Sequence, residues 1–118
     1  MSLKPPARVD LLQGTLDVLI LQTLLGGPAH GHAISKHIQR TSEELLQVET
    51  GSLYPALHRL EAHGWIAASW ELSDKGKRAK YYRLTPGGRK QLVSEQSKWK
   101  TFSRAMGLVL NPADRESQ

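Results

Sequence analysis

Residues 50–65 read TGSLYPALHRLEAHGW, and the fold turns on how this stretch is read. Leu53, Leu57 and Leu60 recur at i, i+4 and i+7, so they share one face of a helix. The other side carries Ser52, Tyr54, Pro55, His58 and Arg59, with no carboxylate before Glu61. A solvated helix face usually mixes the signs of its charges. One that keeps only neutral donors and positive charge suits phosphates and base edges. Gly64 supplies a stop. Pro55 lacks an N–H, which is harmless only in the first turn, so Ser52 is expected as the N-cap with Pro55 at N3. On these residues alone, an ordinary amphipathic core helix and a recognition helix account for the stretch equally well.

The chain that follows separates the two readings. In residues 65–84, WIAASWELSDKGKRAKYYRL, the side chains Ile66, Ala68, Trp70 and Leu72 alternate with Ala67, Ser69 and Glu71, which is strand period. Residues 79–84 form a second short aromatic-rich strand, and Ser73, Asp74, Lys75, Gly76, Lys77 and Arg78 compose the hairpin loop between them. Lys75, Lys77, Arg78 and Lys80 place four cations at or beside its tip. Loop tips are commonly polar, but a basic hairpin next to a basic helix has the layout of a DNA-binding wing. Arg78 is the candidate for a minor groove, where arginine is favoured, and Lys75 and Lys77 for phosphates.

Upstream, residues 16–25 read LDVLILQTLL behind Thr15, a plausible N-cap. Leu16, Leu19, Ile20 and Leu24 make one stripe, and Val18, Leu21 and Leu25 a second on another side. A helix apolar nearly all round must be covered nearly all round. A domain this small cannot do that alone, so Val18, Leu21 and Leu25 are expected at a homodimer interface. Residues 30–40, HGHAISKHIQR, give a second helix with Ala33, Ile34, His37 and Ile38 inward, the first helix of a helix-turn-helix. His30, His32 and His37 have no third ligand at suitable spacing, and no metal site is expected. Residues 41–49 connect the two helices, and their alternating Leu45, Leu46 and Val48 suggest a short strand of the wing sheet.

Downstream, Thr85-Pro86 is a strong helix start. Leu92, Gln96, Trp99, Phe102, Met106 and Leu110 then recur at three- and four-residue spacing, as in one long amphipathic helix ending near Asn111-Pro112. Its apolar stripe finds no partner within the monomer and is assigned to a second subunit. The expected division is a flexible arm at 1–10, a winged helix-turn-helix at 11–84, a dimerisation helix at 85–111 and a disordered tail at 112–118. The fold class is mainly α with a small β-wing.

The 118 residues suit one domain, and the net charge of +5 favours an anionic partner. The absence of cysteine removes disulfides, thiolate metal sites and cysteine nucleophiles. No apolar run is long enough for a membrane span and the first ten residues lack a signal-peptide core, so a cytoplasmic protein is expected. There is no phosphate loop, no G-x-S-x-G turn and no carboxylate cluster, so no enzyme and no cofactor is expected.

In this order the chain resembles the PadR family of bacterial transcriptional regulators. The stretches that carry the likeness are LLQGTLDVLILQTL, GHAISKHI, TGSLYPALHRLEAHGWI and KGKRAKYYRLTPGGR, and they span most of residues 11–110. With a single C-terminal helix it is similar to the short-tailed subgroup. The resemblance implies a dimeric repressor of a palindromic operator. It implies major-groove contact by Ser52, Tyr54, Pro55, His58 and Arg59, and wing contact by Lys77, Arg78 and Lys80. It also implies that Trp99 stands where some drug-sensing members hold a tryptophan against a dimer cavity for flat aromatic compounds, so a planar aromatic or phenolic effector is expected. A protein–protein adaptor on the same scaffold, without DNA binding, is the competing reading.

Overall fold

The computed structural model describes residues 14–111 and 113. The expected arm at 1–10 lies outside them, as does the expected tail apart from residue 113. The described elements run α1 (Thr15–Leu25), β1 (Ala29–His30), α2 (Gly31–Thr41), α3 (Thr50–Ala62), β2 (Ile66–Leu72), β3 (Arg78–Leu84) and α4 (Pro86–Leu110).

α1, α2 and α3 enclose the core, and a three-stranded antiparallel sheet of order β1-β3-β2 closes it. Ile20, Leu21, Ile34, Leu57, Leu60 and Ile66 are the largest fully buried side chains. The stripes read from the sequence explain most of this: Leu53, Leu57 and Leu60 of α3 and Ile34 and Ile38 of α2 all point inward. Two expected details fail. His37 is exposed, because Ile34 and Ile38 with half-buried Ala33 already fill the narrow inner face of α2. Leu21, assigned to a dimer face, is 0% exposed and sits inside the monomer core. α1 lies between α2, α3 and α4, so only Val18, Leu19 and Leu25 among its larger apolar side chains retain exposed surface.

α3 begins at Thr50, earlier than expected, with Glu49 as a cap that lends no side-chain bond. The amides of Ser52 and Leu53 donate to the Glu49 carbonyl at 3.0 and 2.9 Å. Ser52 is therefore inside the helix, and Pro55 removes the donor that the Gly51 carbonyl would otherwise take. Gly51 is at the surface, where water substitutes at small cost. The helix ends at His63, and Gly64 reverses the chain with a φ of 76°.

The third strand is another correction. It comes from Ala29–His30, which pairs with Tyr82 and Tyr81, and not from residues 41–49. Those residues form a turn in which Leu46 alone makes a bridge. Two jobs meet at His30: it closes the sheet, and its Nδ1 accepts from the Ala33 amide at 3.1 Å to cap α2.

Thr85 fixes the start of α4. Its hydroxyl accepts from the Gly88 amide at 3.0 Å and donates to the Gly64 carbonyl at 2.7 Å, while its own amide donates to the Trp65 carbonyl at 3.1 Å. α4 is thereby tied to the corner between α3 and β2. Beyond Leu92, none of its side chains is buried, and its 25 residues extend roughly 37 Å. No helix among the described residues is long and apolar enough to cross a membrane.

Candidate nucleic-acid interface

The wing is the β2–β3 ribbon. Its register pairs Ile66 with Leu84, Ala68 with Tyr82, Trp70 with Lys80 and Leu72 with Arg78, so these eight residues share one face. The half of that face near the helices is core. The far half emerges from the protein and carries Trp70, Leu72, Arg78 and Lys80. Ser73 closes the tip: its amide donates to the Lys77 carbonyl at 2.7 Å, and the Gly76 amide donates back to its carbonyl at 2.9 Å. Gly76 holds a φ of 76°, which a side chain would strain. Lys75 and Lys77 are exposed at this tip.

Tyr54 faces the wing across a groove of about 460 Å³ whose walls include His30, His32, Trp70, Lys77, Arg78, Lys80 and Tyr82. Gly31, the first residue of α2, makes this possible, since a Cβ there would lie 2.8 Å from the Tyr54 hydroxyl. Tyr82 forms the floor of the groove. Burial raises its phenol above the ordinary tyrosine range, against the opposing pull of Lys80 beside it. It stays neutral, while the cations stand at the rim.

The side chains singled out from the sequence separate into groups. Ser52, Tyr54, Pro55 and His58 are exposed together on α3. Arg59 is not free: its Nη2 meets Asp17 Oδ1 of α1 at 2.8 Å. It points along the flank that joins α3 to α1, and a role as a base-reading guanidinium loses its geometric support. Lys80 lies 3.5 Å from Glu61 Oε1 and over the Tyr82 ring, where the far half of the ribbon begins. Lys75, Lys77 and Arg78 remain at the outer end. Trp70 and Asp17 were not foreseen as part of the site. The alternation that made Trp70 a strand residue also placed it on the Lys80 face, and that signal was available in the sequence.

The side chains assigned to a dimer face separate as well. Leu92 is 2% exposed and belongs to the monomer core beside Leu21, so neither can face a partner. Gln96 donates to the Gln22 carboxamide oxygen at 2.6 Å within the monomer. Val18 and Leu25 keep exposed surface, and Trp99, Phe102, Met106 and Leu110 line the open side of α4. Trp99, 49% exposed, is 5.9 Å from Phe102 between ring centroids. Both border a shallow concavity of about 220 Å³ with Gly14, Thr15, Val18, Glu95 and Lys98.

Three helices, a basic ribbon beside the third and a long helix behind define the class: a winged helix-turn-helix, the architecture of DNA-binding transcriptional regulators. The profile of the transcriptional regulator PadR-like family matches residues 20–94. An uncharacterized Lysinibacillus sphaericus protein is 33% identical over 104 residues, 87% of this chain and 94% of its own. A transcriptional regulator of Mycobacterium tuberculosis is 32% identical over 85 residues, 72% of this chain and 76% of its own. Among solved structures, a transcriptional regulator from Clostridium thermocellum superposes with a TM-score of 0.74 at 33% identity, covering 80% of this chain and 92% of that one. A PadR family transcriptional regulator from Eggerthella lenta gives 0.71 at 32% identity, covering 84% of each. The chain belongs to the PadR-like family of transcriptional regulators, and it is a regulator, not an enzyme.

Proposed function

We propose that this protein is a homodimeric repressor that reads a palindromic operator with α3 and holds it with the wing. The observation that carries the reading is the groove between Tyr54 and the basic end of the β2–β3 ribbon. A phosphate backbone laid along it would meet Lys77 and Arg78 on one side and the exposed Ser52, Tyr54, Pro55 and His58 of α3 on the other. Non-specific affinity then comes from Lys75, Lys77 and Arg78 displacing counterions from phosphate. Preference for sequence comes from the α3 face in the major groove. Arg59 serves this indirectly, by fixing α3 on α1 through Asp17.

The second copy follows from α4. Its open stripe, with Val18 and Leu25, has the composition of a helix–helix interface and would set two α3 helices about 34 Å apart along a duplex. A planar aromatic or phenolic effector would lodge against Trp99 and Phe102, next to the first turn of α1. It would act by changing the angle between subunits, since a shift in that spacing disengages both reading heads together. The adaptor reading has no observation of its own in its favour: a protein partner gives no reason for the cations to collect at the wing end.

A duplex-binding titration at several salt concentrations tests the proposal. Wild-type protein should bind, with log affinity falling linearly in log salt concentration. Lys77→Ala should weaken binding to all sequences alike and reduce the slope by about one ion. Lost sequence preference with an unchanged slope would contradict the backbone role of Lys77.

A further inference from the structure

The wing presents two large apolar side chains that the contacts above leave without a task, Leu72 and Trp70, and only Trp70 is aromatic. Trp70 is 59% exposed, although the same strand face is core at Ile66. The register makes Trp70 and Arg78 diagonal neighbours on that face, a separation that a ring and a long side chain span. The Arg78 guanidinium lies over the indole, with its Cζ 5.5 Å from the ring centroid, inside cation–π range. Two other cations of the surface are held by carboxylates, Arg59 by Asp17 and Lys80 by Glu61. Among the described residues no carboxylate pairs with Arg78.

The difference has a chemical consequence. A carboxylate that orients a guanidinium also offsets its charge and occupies its N–H groups. An aromatic face orients it from beneath and takes no donor, leaving the N–H groups around the edge of the plane open to phosphate or base acceptors. The ring also restricts the side chain before contact, so less freedom is lost on docking.

We infer that Trp70 is a positioning residue of the DNA-binding surface: its indole holds the Arg78 guanidinium out from the wing toward the duplex, fully charged and with its donors unspent. This rests on the DNA-binding reading above and adds the residue that sets Arg78 within it.

The test is a double-mutant cycle read by fluorescence anisotropy on a labelled mixed-sequence duplex about three helical turns long. Trp70→Ala should weaken binding about two- to fivefold, the range of an exposed cation–π contact. Trp70→Tyr should stay close to wild type, and Trp70→Leu should behave like Trp70→Ala. In an Arg78→Ala background, Trp70→Ala should have no further effect. The unfolding midpoint should be unchanged, because Trp70 lies outside the core. Should Trp70→Ala lower it, the comparison of Tyr with Leu decides, since both keep apolar bulk and only one keeps a π face. An equal loss in both backgrounds, a Trp70→Leu protein that matches wild type, or full binding by Trp70→Ala would overturn the inference. Wild-type protein that ignores the duplex at low salt would instead remove the DNA-binding reading, and the inference with it.

Discussion

Gly88 controls the joint between the wing and the last helix. A Cβ built there would stand 2.0 Å from the Trp65 carbonyl oxygen and 2.8 Å from Leu84 Cδ1. The carbonyl is backbone and cannot step aside, so Gly88→Ala should cost about 1–3 kcal/mol or more in chemical denaturation. A midpoint equal to wild type would mean that α4 does not seat on the Trp65 turn. Gly31 is the contrasting case. The atoms near its absent Cβ belong to the far end of the Tyr54 side chain, which can swing away. Gly31→Ala should leave the unfolding midpoint within about 1 kcal/mol of wild type and weaken duplex binding, because Tyr54 leaves the groove. Unaltered binding would take Tyr54 out of the interface. Neither role was legible in the sequence. A glycine at a helix start reads as a cap, and the nearest atom to each missing Cβ, on Trp65 for Gly88 and on Tyr54 for Gly31, belongs to a residue more than twenty positions away in the chain.

At the scale of elements, periodicity delivered all four helices and the first wing strand, and aromatic-rich composition beside a turn delivered the second. Periodicity failed where one residue serves two elements. Ala29 and His30 are too few for a period, and their pairing with β3 is a tertiary event. α3 starts earlier than Pro55 suggests, because Gly51, whose carbonyl loses its helical donor to the proline, is exposed. The ion pair from Arg59 to Asp17 bridges 42 positions, and no local pattern announces it. It joins α3 to α1 at a partly exposed site, so Arg59→Ala and Asp17→Ala should each cost no more than about 1 kcal/mol. The double variant should cost less than their sum, with sequence preference on DNA kept. A selective loss of affinity for guanine-containing sites in Arg59→Ala alone would return Arg59 to the base-reading set.

The whole molecule is longer than its chain length requires. Its radius of gyration is 16.8 Å, against about 13–14 Å for a compact domain of this size, and its extents are 55 × 38 × 21 Å. The excess fits α4, whose outer half presents Trp99, Phe102, Met106, Val109 and Leu110 to solvent. The sequence disclosed this stripe apart from Val109, but not which of its members the monomer keeps: Leu92 and Gln96 turn inward, and Trp99 is the first of the stripe left open. A stripe of this kind predicts self-association. Phe102→Glu with Met106→Glu should yield a monomer whose unfolding midpoint is close to wild type at equal monomer concentration, apart from the dimer's own contribution. Aggregation or unfolding of that variant would place the stripe inside a fold that one chain cannot complete.

The most direct measurement is sedimentation velocity of the protein alone and then with a duplex selected from random sequence by the wild-type protein. The account predicts a dimer in free solution and two chains on each duplex, with a two-fold symmetric selected sequence whose half-sites are one helical turn apart. A stable monomer at every concentration, or a selection that enriches no sequence at all, would contradict it.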